Sequence, residues 1–253
     1  MRVIKVGGNL AEDAGWMRDV ARAVAASGVE TVLVHGGGKE VSDLQRVLGL
    51  EPEWRDGLRM TTPAVLDVVR MVLSGSVNKR WAATLQDAGV DALGVSGEDA
   101  GLLSGRVSHG GALGRTGELR TVRAELIRRW LGMGLTPVIS PVTRGADGGG
   151  LNVNADDAAA GIAAALEADE LLFVSDVRGV RSGGTEVSAL DADEADALLS
   201  SGEAAGGMRP KLRAALRAAE SVGAVRIGDL EMITDGAAGT RIHPTRETAH
   251  AGD

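Results

Sequence analysis

The stretch that decides the fold is residues 2–38, RVIKVGGNLAEDAGWMRDVARAVAASGVETVLVHGGG. Val3-Ile4-Lys5-Val6 reads as an apolar strand running into Gly7-Gly8. Asp13 to Ser27 has the spacing of an amphipathic helix, stopped by Gly28. Thr31 to Val34 is a second strand that runs into Gly36-Gly37-Gly38. Strand–helix alternation of this kind predicts a mostly parallel sheet with helices on both faces.

The same alternation continues outward. Helical patterns cover residues 39–48, stopped by Gly49, and residues 63–88, opened by Pro63 and interrupted only by Ser74-Gly75-Ser76. Ala92 to Val95 is a third strand. Residues 102–120 are rich in Gly, Ser and Arg and read as a hairpin excursion. Further along come a helix over 125–133, a strand over 136–142 bearing Pro137 and Pro141, and an Ala-rich helix over 155–166. A strand over 171–177 and a helix over 210–222 complete the strong signals; 225–227 and 240–242 are weaker strands. Gly145 to Gly150 is a low-complexity patch expected to be a mobile loop. The pattern predicts an α/β fold: a three-layer αβα sandwich around a mostly parallel sheet, in two lobes joined near Glu167-Ala168-Asp169. Ligands of such sheets gather at the C-terminal ends of the strands, where the glycine clusters fall.

Composition narrows the function. The chain has 253 residues and no cysteine, so disulfides, thiolate catalysis and Cys-ligated zinc are excluded. Its net charge of −8 argues against nucleic acid or an anionic membrane as main partner. Aromatic residues make up 2%, so the core must be Val, Leu, Ile and Ala packed closely at 37 glycines. Neither a secretory leader nor a membrane span is legible, and a cytoplasmic enzyme is the expectation.

Two lysines carry the chemistry. Lys5 lies inside an apolar strand, a place for water-facing edge lysines or for a buried function. Lys211 opens a helix after Gly206-Gly207-Met208, where the helix end already carries positive partial charge. Placing a lysine there points to an anion held by both. The glycine clusters permit backbone amides to approach such an anion, or serve only as tight turns. Gly38-Lys39 is followed by Glu40, so this is not a P-loop. Arg59 sits in Asp56-Gly57-Leu58-Arg59-Met60-Thr61, and Asn152 and Asn154 alternate before Asp156. Asn154 or Asp156 is a natural N-cap for the Ala-rich helix.

Eight segments in order now resemble the amino acid kinase family, and most closely its N-acetylglutamate kinase branch. They are Lys5-Val6-Gly7-Gly8-Asn9, His35-Gly36-Gly37-Gly38, Asp56 to Thr61, Val77-Asn78-Lys79, Gly94 to Asp99, Asn152 to Asp156, Ser175 to Val180 and Gly206 to Lys211. The resemblance runs from Arg2 to about Ile242. It implies phosphorylation of the side-chain carboxylate of N-acetyl-L-glutamate by ATP, with Mg²⁺ carried on the nucleotide, as the second step of arginine synthesis. By resemblance, Lys5 and Lys211 meet the transferring group and the nucleotide, and Asp156 holds both. Gly37 and Gly38 match backbone donors; Arg59 and Asn152 match residues that grip the amino acid. Nucleotide contacts are implied at Gly7, Gly8, Asp176, Val177, Arg178, Gly179, Val180, Arg181, Glu203, Ala204 and Ala205. Residues 1–168 correspond to the amino-acid and dimerisation lobe and 169–253 to the nucleotide lobe. No protein metal ligand is implied.

The chain departs from the family pattern at Gly97-Glu98-Asp99-Ala100-Gly101 and at Arg209-Pro210. Little precedes Lys5, whereas arginine-inhibited relatives carry an extra N-terminal helix, so a homodimer insensitive to arginine is expected. Two alternatives stand beside this reading. One is a kinase for aminoadipate or glutamate attached to a carrier protein, which calls for a basic docking face. The other is a non-catalytic sensor of ATP or amino acid, which would be expected to have lost a lysine or the aspartate.

Overall fold

The computed structural model describes residues 1–7, 12–55 and 57–244. Gly8 and Asp56 therefore lie outside the described residues. β1 (Arg2–Val6), α1 (Ala14–Ser27), β2 (Thr31–His35) and α2 (Gly38–Val47) come first, then a small hairpin of β3 (Trp54–Arg55) and β4 (Leu58–Arg59). α3 (Pro63–Val69) leads through a π-type segment, Arg70–Val77, into α4 (Asn78–Asp87). Next are β5 (Ala92–Ser96), β6 (Leu103–Val107), β7 (Thr116–Val122), α5 (Ala124–Gly132), β8 (Thr136–Ser140), β9 (Val142–Gly145), β10 (Gly150–Val153) and α6 (Ala155–Leu166). The last third holds β11 (Glu170–Val174), the hairpin of β12 (Arg181–Ser182) and β13 (Thr185–Glu186), and β14 (Ala189–Leu190). It ends with α7 (Ala192–Ser201), α8 (Met208–Ala219), β15 (Ala224–Gly228) and β16 (Thr240–Ile242).

Eight strands form one sheet in the order β14-β16-β15-β11-β1-β2-β8-β5. Every pairing is parallel except β15 with β16. Side chains alternate between two apolar layers. Val3, Val32, Val34, Ile139, Leu171 and Phe173 face α5, α6 and α8. Ile4, Leu33, Val138, Leu172 and Val174 face the side of α1 and α4. Strands buried on both faces read as continuous apolar runs, which is why they were legible in the sequence. Lys5 lies on the same face as Val3, toward α6.

A second, smaller unit is a closed barrel of β10, β7, β6 and β9. The 102–120 excursion supplies its antiparallel β6–β7 pair. A barrel of four strands leaves little room inside. A Cβ on Gly117 would stand 2.7 Å from Leu151, and one on Gly105 would stand 2.6 Å from the Glu118 carbonyl.

Four expectations need correction. The 145–150 patch is not a mobile loop but the tight turn between β9 and β10. Arg115 holds it, donating to both Asp147 oxygens at 2.5 and 3.0 Å and to the Gly150 carbonyl at 2.9 Å. The expected 136–142 strand breaks at Pro141, which has no N–H to donate and marks where the chain leaves the sheet for the barrel. The 63–88 helix is continuous through Ser74-Gly75-Ser76 but wound as a π-type segment there. The 171–177 strand stops at Val174. β14 and α7 had no sequence expectation.

Candidate active site

The parallel strands end on one side of the sheet, and a cleft of about 490 Å³ opens there. Lys5 reaches it from β1 and Lys211 from the first turn of α8. Both ammoniums point at Asp156 Oδ1, at 2.8 Å and 3.6 Å. All three side chains are buried. Asn154 explains why Asp156 is available: its side chain caps α6 by accepting from the Asp156 and Asp157 amides. Asp156 is thereby released from capping and turned to the lysines.

Electrostatics follow from burial. Desolvation alone would raise the Asp156 pKa, yet the charges of Lys5 and Lys211 bring it below the ordinary carboxylate value. The Lys211 ammonium is lowered to about 8, first by desolvation and then by Lys5, with Asp156 opposing. Two cations on one anion leave the site with spare positive charge, a fit for a ligand bearing negative charge.

Two helix ends add to this field. α2 starts after Gly37 and α8 after Gly207, and neither has a side-chain cap. Gly37, Gly38, Gly207 and Met208 all line the cleft. The first-turn amides of α2 and the positive ends of both helix dipoles suit phosphate or carboxylate oxygens; at α8 the Met208 amide already donates to the Ala205 carbonyl at 3.1 Å and Pro210 has no N–H.

Arg59 forms the far wall. Its guanidinium donates to the Gly38 carbonyl at 2.7 Å, to Ser42 Oγ at 2.8 Å and to Gln45 Oε1. The Trp54 ring lies 4.3 Å away, brought there by the β3–β4 pairing of Trp54 with Arg59. Burial, followed by repulsion from Arg46, lowers the Arg59 pKa to about 10, so it stays charged at neutral pH. Asn152 stands beside this wall and donates to Thr61 Oγ1 at 3.1 Å. Thr116 ties the wall together, donating to the Arg59 carbonyl at 2.5 Å.

The cleft therefore brings together Lys5, Gly7, Gly37, Gly38, Arg59, Asn152, Asp156, Asp176, Val177 and Lys211. The other candidates sit away from its lining. Arg178 and Gly179 line a separate hollow of about 290 Å³. Val180 is a core residue whose amide donates to Thr240 Oγ1 at 2.8 Å. Arg181 is exposed in β12. Glu203 accepts from the Gly183 amide at 2.9 Å, tying the β12–β13 hairpin to the connection between α7 and α8, while Ala204 is buried and Ala205 exposed. Sequence reading missed Trp54 and Thr116. A lone tryptophan or threonine in a loop carries no signal until the pairing that places it is known.

His35, which sits in a glycine motif, is structural. Burial lowers its pKa to about 4. Its neutral ring donates from Nδ1 to the Gly36 carbonyl at 2.9 Å and accepts from Asn78 at Nε2 at 3.1 Å.

A model of the amino acid kinase family matches residues 1–229. An acetylglutamate kinase of Roseiflexus castenholzii is 47% identical over 232 residues, 90% of this chain and 89% of that protein. An acetylglutamate kinase of Geobacillus stearothermophilus is 42% identical over 218 residues, 85% of this chain and 84% of that one. Among solved structures, N-acetylglutamate synthase from Neisseria gonorrhoeae complexed with coenzyme A and N-acetyl-glutamate matches with a TM-score of 0.82 at 27% identity. That match covers 96% of this chain and 59% of the synthase. Carbamate kinase from Giardia lamblia bound to AMP-PNP has a TM-score of 0.70 at 19% identity, covering 96% and 98% of the two chains, a likeness of fold alone. With the sequence match spanning most of its length and the same parallel sheet beneath the cationic cleft, the chain belongs to the amino acid kinase family.

Proposed function

We propose that the chain transfers the γ-phosphoryl group of ATP directly to the side-chain carboxylate of N-acetyl-L-glutamate, giving an acyl phosphate and ADP. The observation that carries this is the pair of buried lysines on Asp156, in one cleft with an arginine that has no carboxylate partner among the described residues. The acetylglutamate kinases to which the chain is 42–47% identical support the choice of acceptor.

The acceptor carboxylate has a pKa near about 4 and is ionised at neutral pH, so no general base is needed. The difficulty is bringing two anions together. At about 4 Å and an effective dielectric near 20, unit charges repel by roughly 4 kcal/mol. Lys5 and the first-turn amides of α2 face the transferring group. Lys211 and the positive end of the α8 dipole face the nucleotide side and follow charge onto ADP. Arg59, with Asn152 beside it, takes the α-carboxylate, for which a planar fork of donors is suited. Mg²⁺ would come as part of the ATP substrate and supply further neutralisation of phosphate charge. Among the described residues no three acidic or imidazole groups gather as a cage, and no residue of the chain is assigned to the metal.

Residues 1–168 would form the amino-acid and dimerisation lobe and 169–253 the nucleotide lobe, with Asp176 and Val177, which line the cleft, bordering the nucleotide. The assembly would be a cytoplasmic homodimer, checked by light scattering. No described helix is long and apolar enough to cross a membrane.

Acyl phosphate trapped with hydroxylamine tests the reaction across free, N-acylated and carrier-attached dicarboxylic amino acids. N-acetylglutamate should be the preferred acceptor, and Arg59→Ala should chiefly raise its KM. Turnover of only a carrier-attached substrate, or of none, would refute the proposal.

A further inference from the structure

Arg59 is buried, yet the acceptors holding its guanidinium are neutral: a carbonyl, a hydroxyl and an amide oxygen. The chain treats another buried pair of arginines differently. Arg226 is paired with Glu170 at 2.5 Å, and Arg2 lies 3.8 Å from the same carboxylate. Gln45 makes the contrast sharper. It is wholly buried on α2, and its Oε1 faces Arg59. Its Nε2 has no partner among the described residues.

A buried amide N–H without an acceptor is destabilising. Rotating the amide would supply an acceptor for nothing and turn N–H groups onto the guanidinium. Arg59 therefore dictates the orientation. Glutamate in the same volume would remove the orphan and neutralise the arginine; methionine would remove the orphaned amide but leave Arg59 Nη1 without the acceptor it has here. The position holds neither, and breaking a local rule of stability in this way marks function.

We infer that Gln45 is a positioning residue that aims the Arg59 guanidinium into the cleft while leaving its charge unspent for the α-carboxylate of the acceptor. The inference rests on the proposed function for the identity of that acceptor. The neutral shell of Gln45, Ser42 and the Gly38 carbonyl, roofed by Trp54, orients the fork without competing for it.

Gln45→Glu and Gln45→Met in the full chain separate orientation from charge. KM is measured for amino acid and ATP independently, together with thermal melting at neutral pH. Gln45→Glu should raise KM for N-acetylglutamate by roughly tenfold or more, the scale of losing one charge-assisted contact. It should leave KM for ATP within about twofold and melt no lower than wild type, because the introduced carboxylate would pair with Arg59. Gln45→Met keeps the arginine charged and should raise the amino-acid KM less. An unchanged amino-acid KM in Gln45→Glu overturns the inference. So does a parallel rise in both KM values in both variants, which would mark a merely structural role. A Gln45→Glu protein melting well below wild type would count against an uncommitted charge on Arg59, because the new carboxylate would then lack the compensation the inference requires, and this readout needs no substrate. If wild type ignores N-acetylglutamate but phosphorylates another carboxylate, the proposed acceptor fails while the same comparison on that carboxylate still decides the role of Gln45.

Discussion

At the scale of single residues, the cleft depends on one carboxylate shared by two ammoniums. Lys211→Ala should lower kcat by a factor on the order of 10² or more, the scale for one transition-state charge stabiliser. Near-normal turnover would mean the residue has another role. The Lys211 pKa of about 8 lies below the ordinary lysine value, so the free protein loses this charge as pH rises through about 8. kcat/KM for ATP should therefore fall on the alkaline side with an apparent pKa near 8. Asp156 is the group that opposes the lowering. Asp156→Asn should move that alkaline limb to lower pH and destabilise the fold by about 3–5 kcal/mol, because two buried ammoniums would face each other without a counter-ion. An alkaline limb that stays in place in Asp156→Asn would contradict the coupling. Lys5 stood out in the sequence because an apolar strand seldom contains a lysine. Arg59 did not announce its burial, since its cover comes from α2 and from Trp54 across a two-residue hairpin.

Elements place these residues by close approach. Gly37 sits at φ 156°, and a Cβ there would stand 2.7 Å from Leu73 Cδ2 and 3.2 Å from Val77 Cγ2. Both contacts come from the π-type segment between α3 and α4. The glycine thus serves the packing of α2 against that segment as well as an open path to its amides. Gly37→Ala should cost about 1–3 kcal/mol in chemical denaturation by overpacking, and raise the amino-acid KM by shifting the start of α2. Wild-type stability in that variant would show that the segment yields freely. The β9–β10 hairpin shows why composition misleads. Six residues rich in glycine read as slack chain, but Arg115 clamps the turn from a distant part of the sequence. The same residue's carbonyl accepts from the Asn152 amide at 2.9 Å, so the clamp also sets the position of a cleft residue.

Across the whole molecule, the two proposed lobes share one sheet and one apolar layer. β1 lies between β11 and β2, and the layer over α6 and α8 joins Val3, Val34 and Ile162 to Phe173, Leu212 and Ile227. Neither 1–168 nor 169–253 can close that layer alone. Calorimetric unfolding should show one transition, and residues 1–168 expressed alone should not melt cooperatively; two resolved transitions would count against this. The sequence by itself determined the parallel α/β sandwich, because strands buried on both faces are apolar throughout and helices between them keep their 3.6-residue period. It also determined the strand-end glycines and the two lysines, since each breaks a local rule of composition. Only the tertiary structure decided that β6, β7, β9 and β10 close a barrel, that Asn154 caps α6 and frees Asp156, and that Arg59 is held by neutral groups. Those outcomes depend on contacts between residues far apart in the chain, and local periodicity carries no information about such contacts.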